Sequence, residues 1–219
     1  TSYWLDGLPQ VAGVSSDLKR KVDVLIIGSG YTGLNAALEI ARGGRDVMVI
    51  ESGHPGFRCS TRNGGQISTH VKPSLEKLTQ KVGASKASAM RREGVNALDW
   101  IEELVNKEKL DCNFIRAGRF HAAHSREQYD DLARDAEKLT NFENIPTEIV
   151  PKAEQHKELG TEIYHGGVVF PRHASVHPAK YHHGLLSRVI EAGATVVSYC
   201  EAKAVNKLEK GFEVRTSRG

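Results

Sequence analysis

Hydrophobic and polar residues recur with changing periods along this chain of 219 residues, and the clearest change lies near its start. Residues 22–27 and 46–50 are short apolar runs rich in β-branched side chains, typical of strands buried on both faces. Between them the apolar positions recur at helical spacing, and Gly43-Gly44 follows as a helix stop. The pattern predicts a strand, a helix and a second strand, with the helix core at Leu34, Ala37, Leu38 and Ala41.

The middle of the chain changes between helical and extended patterns. Residues 74–109 predict a short helix that ends at Gly83 and then a longer helix with one buried stripe. Residues 114–123 predict a strand, Ser125 to Gln128 form a capping box for another helix, and residues 141–165 predict no defined element. In the longer helix the buried stripe comprises Ala87, Met90, Gly94, Leu98, Ile101 and Val105, and the charged run that includes Arg91 is expected to face solvent.

The last part of the chain begins with a helix and ends in strands. His177 and Pro178 are the expected cap and first residue of a helix that runs to Ala192. Residues 194–199 then predict a third apolar strand. Two further extended runs, 204–208 and 212–215, are joined through Lys210-Gly211 and predict a hairpin.

The turn after the first strand carries the most specific motif. Gly28, Gly30 and Gly33 have the G-x-G-x-x-G spacing, and an acidic residue, Glu51, ends the second strand. We expect Gly28 to allow a tight turn, Gly30 to let a pyrophosphate approach the backbone, and Gly33 to let helix and strand pack closely. The phosphates would lie at the helix N-terminus, whose N–H groups and dipole favour anions. Glu51 would bind the adenosine ribose and repel a 2′-phosphate, so the unit predicts FAD or NAD.

A second loop follows that a plain NAD-binding domain does not need. Residues 53–66 are glycine-rich and full of hydrogen-bond donors. Long ordered loops in compact domains tend to be functional, but composition alone allows a solvated connector equally well.

The two loops together carry a family resemblance. GSGYTGL at residues 28–34 and CSTRNGGQ at residues 59–66 resemble the FAD-dependent amine and amino-acid oxidoreductases of the D-amino-acid oxidase superfamily, in particular the γ-glutamylputrescine oxidase branch. In that family the second loop crosses the pyrophosphate and reaches the flavin ring, and the backbone at the position of Val205 touches adenine. The candidate FAD-binding residues are therefore Gly28, Gly30, Tyr31, Thr32, Gly33, Glu51, Ser52, Ser60, Thr61, Arg62, Asn63, Gly64, Gly65, Gln66 and Val205.

The resemblance also implies an architecture. The fold class is α/β, with a Rossmann-like, doubly wound FAD-binding domain and the start of an α+β substrate domain. We expect an irregular arm at residues 1–20 anchored by Tyr3, Trp4 and Leu5, an incomplete FAD-binding domain at 21–110 and 173–219, and part of the substrate domain at 111–172. Because family members have a third meander strand and most of the substrate sheet after this point, the chain is expected to be the N-terminal half of a longer enzyme.

The implied activity is oxidation of a C–N bond in an amine or amino acid. Hydride passes from the substrate carbon to flavin N5, the imine hydrolyses, and oxygen or another acceptor reoxidises the flavin. No acid or base in these residues can be assigned a catalytic role, and the 219-residue chain alone is expected to be inactive. Two other functions stay open: an NAD-linked dehydrogenase, which the second loop argues against, and a non-enzymatic nucleotide-binding module.

Composition narrows the partners and the compartment. The net charge of +3 arises from 30 basic and 27 acidic residues that are scattered along the chain, which argues against nucleic acid as a partner. No apolar run is long enough to span a membrane. Three widely spaced cysteines and the absence of a signal-peptide core predict a cytoplasmic protein with reduced thiols. The ten histidines lack the spacing of a metal site, and no metal is expected.

A side chain at position 30 should collide with the pyrophosphate. We expect Gly30→Val to give folded protein without bound flavin, measured as the flavin absorbance of the purified protein beside its circular dichroism spectrum. A normal flavin content in this variant would mean that the phosphates lie elsewhere.

Overall fold

The computed structural model describes residues 2–219, the side chain of Phe142 excepted. Its helices are α1 Tyr31–Arg42, α2 Leu75–Val82, α3 Ala84–Glu108, α4 Arg126–Glu143 and α5 Pro178–Glu191. Its strands are β1 Val24–Ile27, β2 Val47–Ile50, β3 Gln66–Ile67, β4 Arg119–Ala122, β5 Glu148–Pro151, β6 Gly166–Phe170, β7 Ala174–Ser175, β8 Thr195–Val197, β9 Ala202–Lys207 and β10 Phe212–Thr216. They form two compact units, which are described separately below.

A parallel sheet forms the centre of the first unit, which comprises the chain up to Gly65, Glu108–Asn113 and His177–Gly219. The strand order is β1-β2-β8, and both pairs are parallel. The predicted strand–helix–strand unit and the predicted third strand are confirmed. Parallel neighbours need a crossover connection, and α1 provides it between β1 and β2.

Both faces of this sheet are covered, which explains why its strands are apolar at successive positions. On one face Val47, Val49 and Val196 pack with the buried sides of α1 and α5. On the other face Met48 and Ile50 pack with Val197, with the chain before β1 and with the hairpin β9–β10. Since strand side chains alternate between faces, two apolar environments require apolar residues at every position.

The caps of the helices follow the sequence. Ser125 accepts a hydrogen bond from the backbone N–H of Gln128 at 3.1 Å, and the Gln128 side chain accepts one from the N–H of His124 at 2.7 Å. Nδ1 of His177 accepts from the N–H of Lys180 at 3.2 Å, directly before Pro178 begins α5. The predicted capping box and the predicted start of α5 are therefore confirmed.

The second unit, Gln66–Lys107 and Phe114–Val176, contains an antiparallel sheet of order β4-β6-β5 and a short antiparallel pair, β3 and β7. Helix α4 covers the sheet through Ala136, which packs with Val168 and Phe170 of the central strand. The predicted strand after residue 114 is confirmed but shorter, since the regular ladder begins at Arg119.

Strands β5 and β6 were not predicted. The sheet needs glycine at the start of β6: a Cβ at Gly166 would lie 2.5 Å from the carbonyl oxygen of Val150, and one at Gly167 would lie 2.3 Å from that of His121. Glycines lower the apparent strand propensity of a sequence, and here they are required by close contact of the neighbouring strands. The reason why β6 forms a strand therefore lies in its pairing partners, and the local sequence does not show this reason.

The predicted surface of α3 is wrong at two positions. Arg91 is 7% exposed, and its Nε donates a hydrogen bond to Oε2 of Glu143 at 2.6 Å. Met90, predicted to be in the core, is instead 42% exposed. The helix is therefore rotated by about one residue relative to the predicted stripe in this turn, and a buried ion pair takes the place of a methionine.

The predicted arm at residues 1–20 begins at Thr1, which lies outside the described residues. It contains a short 3-10 turn at Tyr3–Leu5, and Ser15 forms a parallel bridge with Val197 of β8. Trp4 contacts the ring of His177 edge-on, with 5.0 Å between ring centroids, but Tyr3 is 83% exposed and anchors nothing. The predicted assignment of residue ranges to an FAD-binding and a substrate domain stays a prediction; by contacts, residues 66–107 belong with 114–176.

The close approach of α1 to the turn after β1 can be tested by a substitution at Gly33. A Cβ at this position would lie 2.1 Å from the carbonyl oxygen of Gly28, so Gly33→Ala should lower the free energy of unfolding by about 2 kcal/mol or more. Alanine would otherwise favour a helix, since it has a better propensity than glycine. Gly53→Ala is the matched control, because a Cβ there meets nothing within 4 Å. Equal stability of the two variants in urea unfolding would contradict the packing argument.

Candidate FAD-binding site

The first glycine loop connects β1 to α1 in a conformation that requires its glycines. Gly28 has a φ of +97°, in the left-handed region, and its N–H donates to the carbonyl oxygen of Ile50 at 2.8 Å. Gly30 is extended and serves as the N-cap of α1, and as a glycine it has no side chain to cap the helix. The backbone N–H groups of Thr32 and Gly33 thus lack the usual acceptor from the cap residue and are suited to an external anion.

Glu51 holds the ends of β1 and β2 together. Its Oε2 accepts hydrogen bonds from the N–H of Ser29 at 2.9 Å and from the Ser29 hydroxyl at 2.8 Å. Its Oε1 accepts from the Ser52 hydroxyl at 3.1 Å and from the N–H of Gly53 at 3.2 Å. The carboxylate is 8% exposed, and these four donors replace the water that it loses on burial.

Two opposing influences set the pKa of Glu51. Burial is the largest single influence and raises the pKa, whereas the hydrogen bonds from Ser29, Gly53 and Ser52 lower it. The net shift is downward from the ordinary value of 4.5. Glu51 is therefore a buried anion at neutral pH and can accept further hydrogen bonds from a ligand.

The second glycine loop is ordered by its own polar groups. A 3-10 turn at Cys59–Thr61 is followed by Asn63, whose Nδ2 donates to the carbonyl oxygen of Cys59 at 3.0 Å and whose Oδ1 accepts from the N–H of Gly65 at 2.8 Å. Thr61 is fully buried, and its hydroxyl donates to the carbonyl oxygen of Gly56. These hydrogen bonds order the loop, and an ordered loop favours a functional role over a solvated connector.

The two loops touch each other at Ser60. Its Oγ accepts a hydrogen bond from the N–H of Tyr31 at 3.3 Å, and a Cβ at Gly30 would lie 3.1 Å from the same oxygen. The structure thus brings the first residue of α1 and the second loop together, as the family resemblance implied. The Tyr31 hydroxyl points elsewhere and donates to the carbonyl oxygen of Pro178 at 3.0 Å.

The other candidate residues lie at the surface of their elements. Arg62 is exposed, and its guanidinium lies 4.3 Å from the centroid of the Phe57 ring. Val205, in the middle of β9, is 54% exposed and pairs with Val214. Five further candidate residues are exposed to solvent: Thr32, Ser52, Asn63, Gly64 and Gln66.

Gln66 begins the second unit and lines a cavity there. The cavity has a volume of about 410 Å³, and its wall includes Ser68, Arg119 and His173. His173 is 2% exposed, and burial, followed by the charges of His70 and Arg119, lowers its pKa to about 4. Its Nδ1 has no hydrogen-bond partner among the described residues. The cavity combines apolar walls with donor side chains, as small-molecule sites do.

Comparison with known proteins gives these loops a family. The model of the family DAO, described as FAD dependent oxidoreductase, matches residues 23–219. The chain is 29% identical over 198 residues to the probable oxidoreductase OrdL of Haemophilus influenzae, covering 90% of this chain and 46% of that protein. It is 27% identical over 199 residues to γ-glutamylputrescine oxidoreductase of Escherichia coli, with 90% and 46% covered.

The chain belongs to the DAO family of FAD-dependent oxidoreductases. Its fold agrees with that of glycine oxidase from Geobacillus kaustophilus, with a TM-score of 0.73 at 22% identity, covering 90% of this chain and 52% of the other. The predicted superfamily, the α/β fold and FAD as the family's cofactor are confirmed. The chain spans about half the length of the curated relatives that it matches.

The residues present fit the FAD of the DAO family. The cap residue of α1 has no capping side chain, Gly30 leaves the space that a side chain would fill beside Ser60, and Glu51 supplies a buried anion at the end of β2. These three features match the phosphate and ribose of a dinucleotide in charge and in hydrogen-bonding capacity.

Two residues of this site were missed by sequence reasoning. Ser29 is buried and donates twice to Glu51, but it occupies a variable position of the glycine motif. His182 is buried in α5, and its Nε2 lies 2.7 Å from the carbonyl oxygen of Ser29. No local pattern marks it, because 153 residues separate the two partners.

Neither a metal centre nor a spanning helix is found in the part of the chain that the structure describes. Within residues 2–219, no three histidines, cysteines, aspartates or glutamates come close enough together to hold a metal ion. In the same range no helix combines the length and apolarity needed to cross a bilayer.

The stability contributed by Glu51 should depend on pH. Its pKa is lowered in the folded state, so the contribution is fully present above 4.5 and is lost as pH falls through the folded-state pKa. In urea unfolding at pH 7, 5, 4 and 3, we expect wild type to exceed Glu51→Gln in stability at neutral pH and the difference to shrink in acid. Glu39→Gln, a change at an exposed carboxylate, is the control. A difference that stays constant with pH would show that the charge of Glu51 contributes nothing.

Proposed function

We propose that this chain binds FAD through its two glycine loops and forms part of an enzyme that oxidises the C–N bond of an amine or amino acid. The observation that carries the proposal is the start of α1, where Gly30 offers no capping side chain, Ser60 accepts the N–H of Tyr31, and the buried carboxylate of Glu51 accepts the N–H of Ser29. Family membership supports the cofactor, and the geometry supports its place.

The pyrophosphate is assigned to the first turn of α1. Gly30 keeps the approach open, and the N–H groups of Thr32 and Gly33 are available as donors at the positive end of the helix dipole. The Ser60 hydroxyl already receives the N–H of Tyr31, so its proton is free to point to a phosphate oxygen. Arg62 is exposed and adds a positive charge on the same loop.

The adenosine is assigned to Glu51, Ser52 and Val205. Oε2 of Glu51 is held by buried Ser29, whereas Oε1 receives hydrogen bonds from the N–H of Gly53 and from the exposed hydroxyl of Ser52. A hydroxyl at the surface can rotate at little cost, so we expect Oε1 to accept the ribose hydroxyls. The exposed backbone around Val205 is assigned to adenine, by its match to the family motif.

The isoalloxazine is assigned to residues 63–66. The Asn63 side chain is occupied within the loop and accepts the N–H of buried Gly65, so we expect the exposed backbone of Gly64 to present its polar groups to the ring. Gln66 is exposed and is assigned to the same ring by its match to the family motif. Thr61 acts by holding the loop, since its hydroxyl is buried and committed to Gly56.

FAD, when bound, supplies a two-electron acceptor for the substrate carbon, while the protein orients the reactants and tunes their electrostatics. Among possible substrates, γ-glutamylputrescine or a similar terminal amine is the finer proposal, supported by the 27% identity to the Escherichia coli enzyme. The acceptor that reoxidises the flavin is proposed to be oxygen or an electron-transfer partner.

A cytoplasmic location is also proposed. Cys59 and Cys200 are free thiols, the first exposed and the second buried. Thiols that stay reduced are typical of a reducing compartment.

Cofactor and activity can be tested separately. Titration of this chain with FAD and with NAD, followed by flavin absorbance and equilibrium dialysis, should show preferential FAD binding, and a preference for NAD would favour an NAD-linked dehydrogenase. The whole protein that carries this chain should then be assayed with amines and amino acids, with peroxide formation and dye reduction as readouts. Bound FAD without turnover of any amine or amino acid would refute the C–N assignment while leaving the cofactor site standing.

Replacing Glu51 tests the ribose assignment directly. A charge-assisted hydrogen bond contributes about 1.5–3 kcal/mol, so Glu51→Ala should weaken FAD binding by about one to two decades. The control Glu39→Ala removes an exposed carboxylate of α1. Dissociation constants are measured on apoprotein and corrected for the folded fraction. An affinity for FAD that equals that of wild type would refute the assignment.

A further inference from the structure

A buried histidine lies behind the proposed nucleotide site. His182 occupies the second turn of α5 and is completely buried. Its Nε2 lies 2.7 Å from the carbonyl oxygen of Ser29, in the first glycine loop. A carbonyl oxygen can only accept, so Nε2 carries the proton and Nδ1 carries the lone pair.

The other side of the same imidazole is packed against the second glycine loop. A Cβ at Gly56 would lie 2.7 Å from both Cε1 and Nδ1 of His182, so only glycine allows this contact. Gly56 in turn accepts the hydroxyl of Thr61, which is the last residue of the turn that carries Ser60. Nδ1 has no hydrogen-bond partner among the described residues.

The ring is therefore neutral at physiological pH. Burial lowers its pKa to about 4, and the carbonyl of Ser29 and the charge of Glu51 oppose that shift. His183 and His54 are the remaining titratable groups that act on it, and both lower the pKa. A proton added at Nδ1 would have no acceptor, so the neutral tautomer is the one that fits the site.

A continuous chain of contacts runs from this ring to Glu51. The proton of His182 Nε2 fixes the carbonyl of Ser29, which belongs to the peptide that follows this residue. The N–H of Ser29, in the preceding peptide, and the Ser29 hydroxyl bind Oε2 of Glu51. Because the two peptides meet at the Cα of Ser29, fixing the carbonyl restricts the backbone that presents these two donors. The orientation of Glu51 thus depends on a residue of α5.

We propose that His182 is a positioning residue for the dinucleotide: one neutral imidazole, held between Ser29 and Gly56, sets the geometry of both glycine loops and orients Glu51 toward the adenosine. This inference rests on the proposed function, because it assumes that the nucleotide binds at these loops. His182 itself touches no ligand.

The test compares ADP and FAD binding to purified variants of this chain. His182→Leu removes the donor, and we expect the dissociation constants of ADP and FAD to rise by the same factor, about tenfold. His182→Gln can place an amide N–H near the position of Nε2 and should recover most of this loss, whereas the shorter His182→Asn should not. We expect the dissociation constants of ADP and FAD to rise by equal factors, because the two ligands share the ADP portion and His182 is proposed to position the loops that bind it.

His183→Leu is the matched control, since His183 is half-buried on the same helix and no side-chain hydrogen bond holds it. A purely structural role would lower the unfolding midpoint of His182→Leu but leave ADP affinity, corrected for the folded fraction, unchanged; that result would overturn the proposal. Where His182→Leu does not fold, the pair His182→Gln and His182→Asn decides, and equal affinities in the two would also overturn it.

A double-mutant cycle adds a second readout. His182→Leu and Glu51→Gln act through the same residue, Ser29, so their combined effect on ADP binding should be smaller than the product of the single effects. Additive effects would contradict the proposed chain. Gly30→Val separates the proposed nucleotide site from the proposed role of His182. If Gly30→Val leaves ADP binding intact, the nucleotide site itself is misplaced. If Gly30→Val abolishes ADP binding while His182→Leu leaves it unchanged, only the role of His182 fails.

Discussion

The carboxylate of Glu51 is the interaction on which the first unit depends. It lies at the carboxyl end of β2, is almost fully buried, and receives four hydrogen bonds from Ser29, Ser52 and Gly53. A buried charge is tolerated only where such donors are in place. It therefore constrains the turn after β1 and the turn after β2 together, and it puts one anion where a dinucleotide needs an acceptor.

Glycine serves three different physical needs around this carboxylate. Gly28 supplies a left-handed turn, Gly33 admits the carbonyl oxygen of Gly28, and Gly56 admits the ring of His182. In each case a side chain would collide with protein atoms or strain the backbone. The glycines of the dinucleotide motif are thus also required for packing α1 against the end of β1, and Gly56, which lies outside the motif, is required for packing α5 against the second loop.

Membership of the DAO family and the observed geometry answer different questions. The family gives the cofactor and the type of reaction. The structure adds how the loops are held. The side chains of Asn63 and Thr61 form hydrogen bonds within the second loop, and Ser60 forms one with the first residue of α1. Several residues that the motif suggested as ligand contacts therefore act by shaping the backbone that a ligand would meet.

Local sequence determined the strand and helix segments of the parallel unit, the caps of α4 and α5, the β9–β10 hairpin and the two glycine loops. Each of these follows from the residue pattern, from dihedral preferences or from contacts close in the sequence. Local sequence did not determine β6, whose glycines are required by Val150 and His121, or the burial of Arg91, which depends on Glu143 some fifty residues away. Nor did it show that His182 supports Ser29, a contact 153 residues apart in the chain. The period of apolar residues in the sequence shows which face of a helix or strand is apolar. The partner of a buried polar group is set only when distant segments fold together. For this reason the tertiary structure, and not the sequence alone, decided the polar contacts of the site.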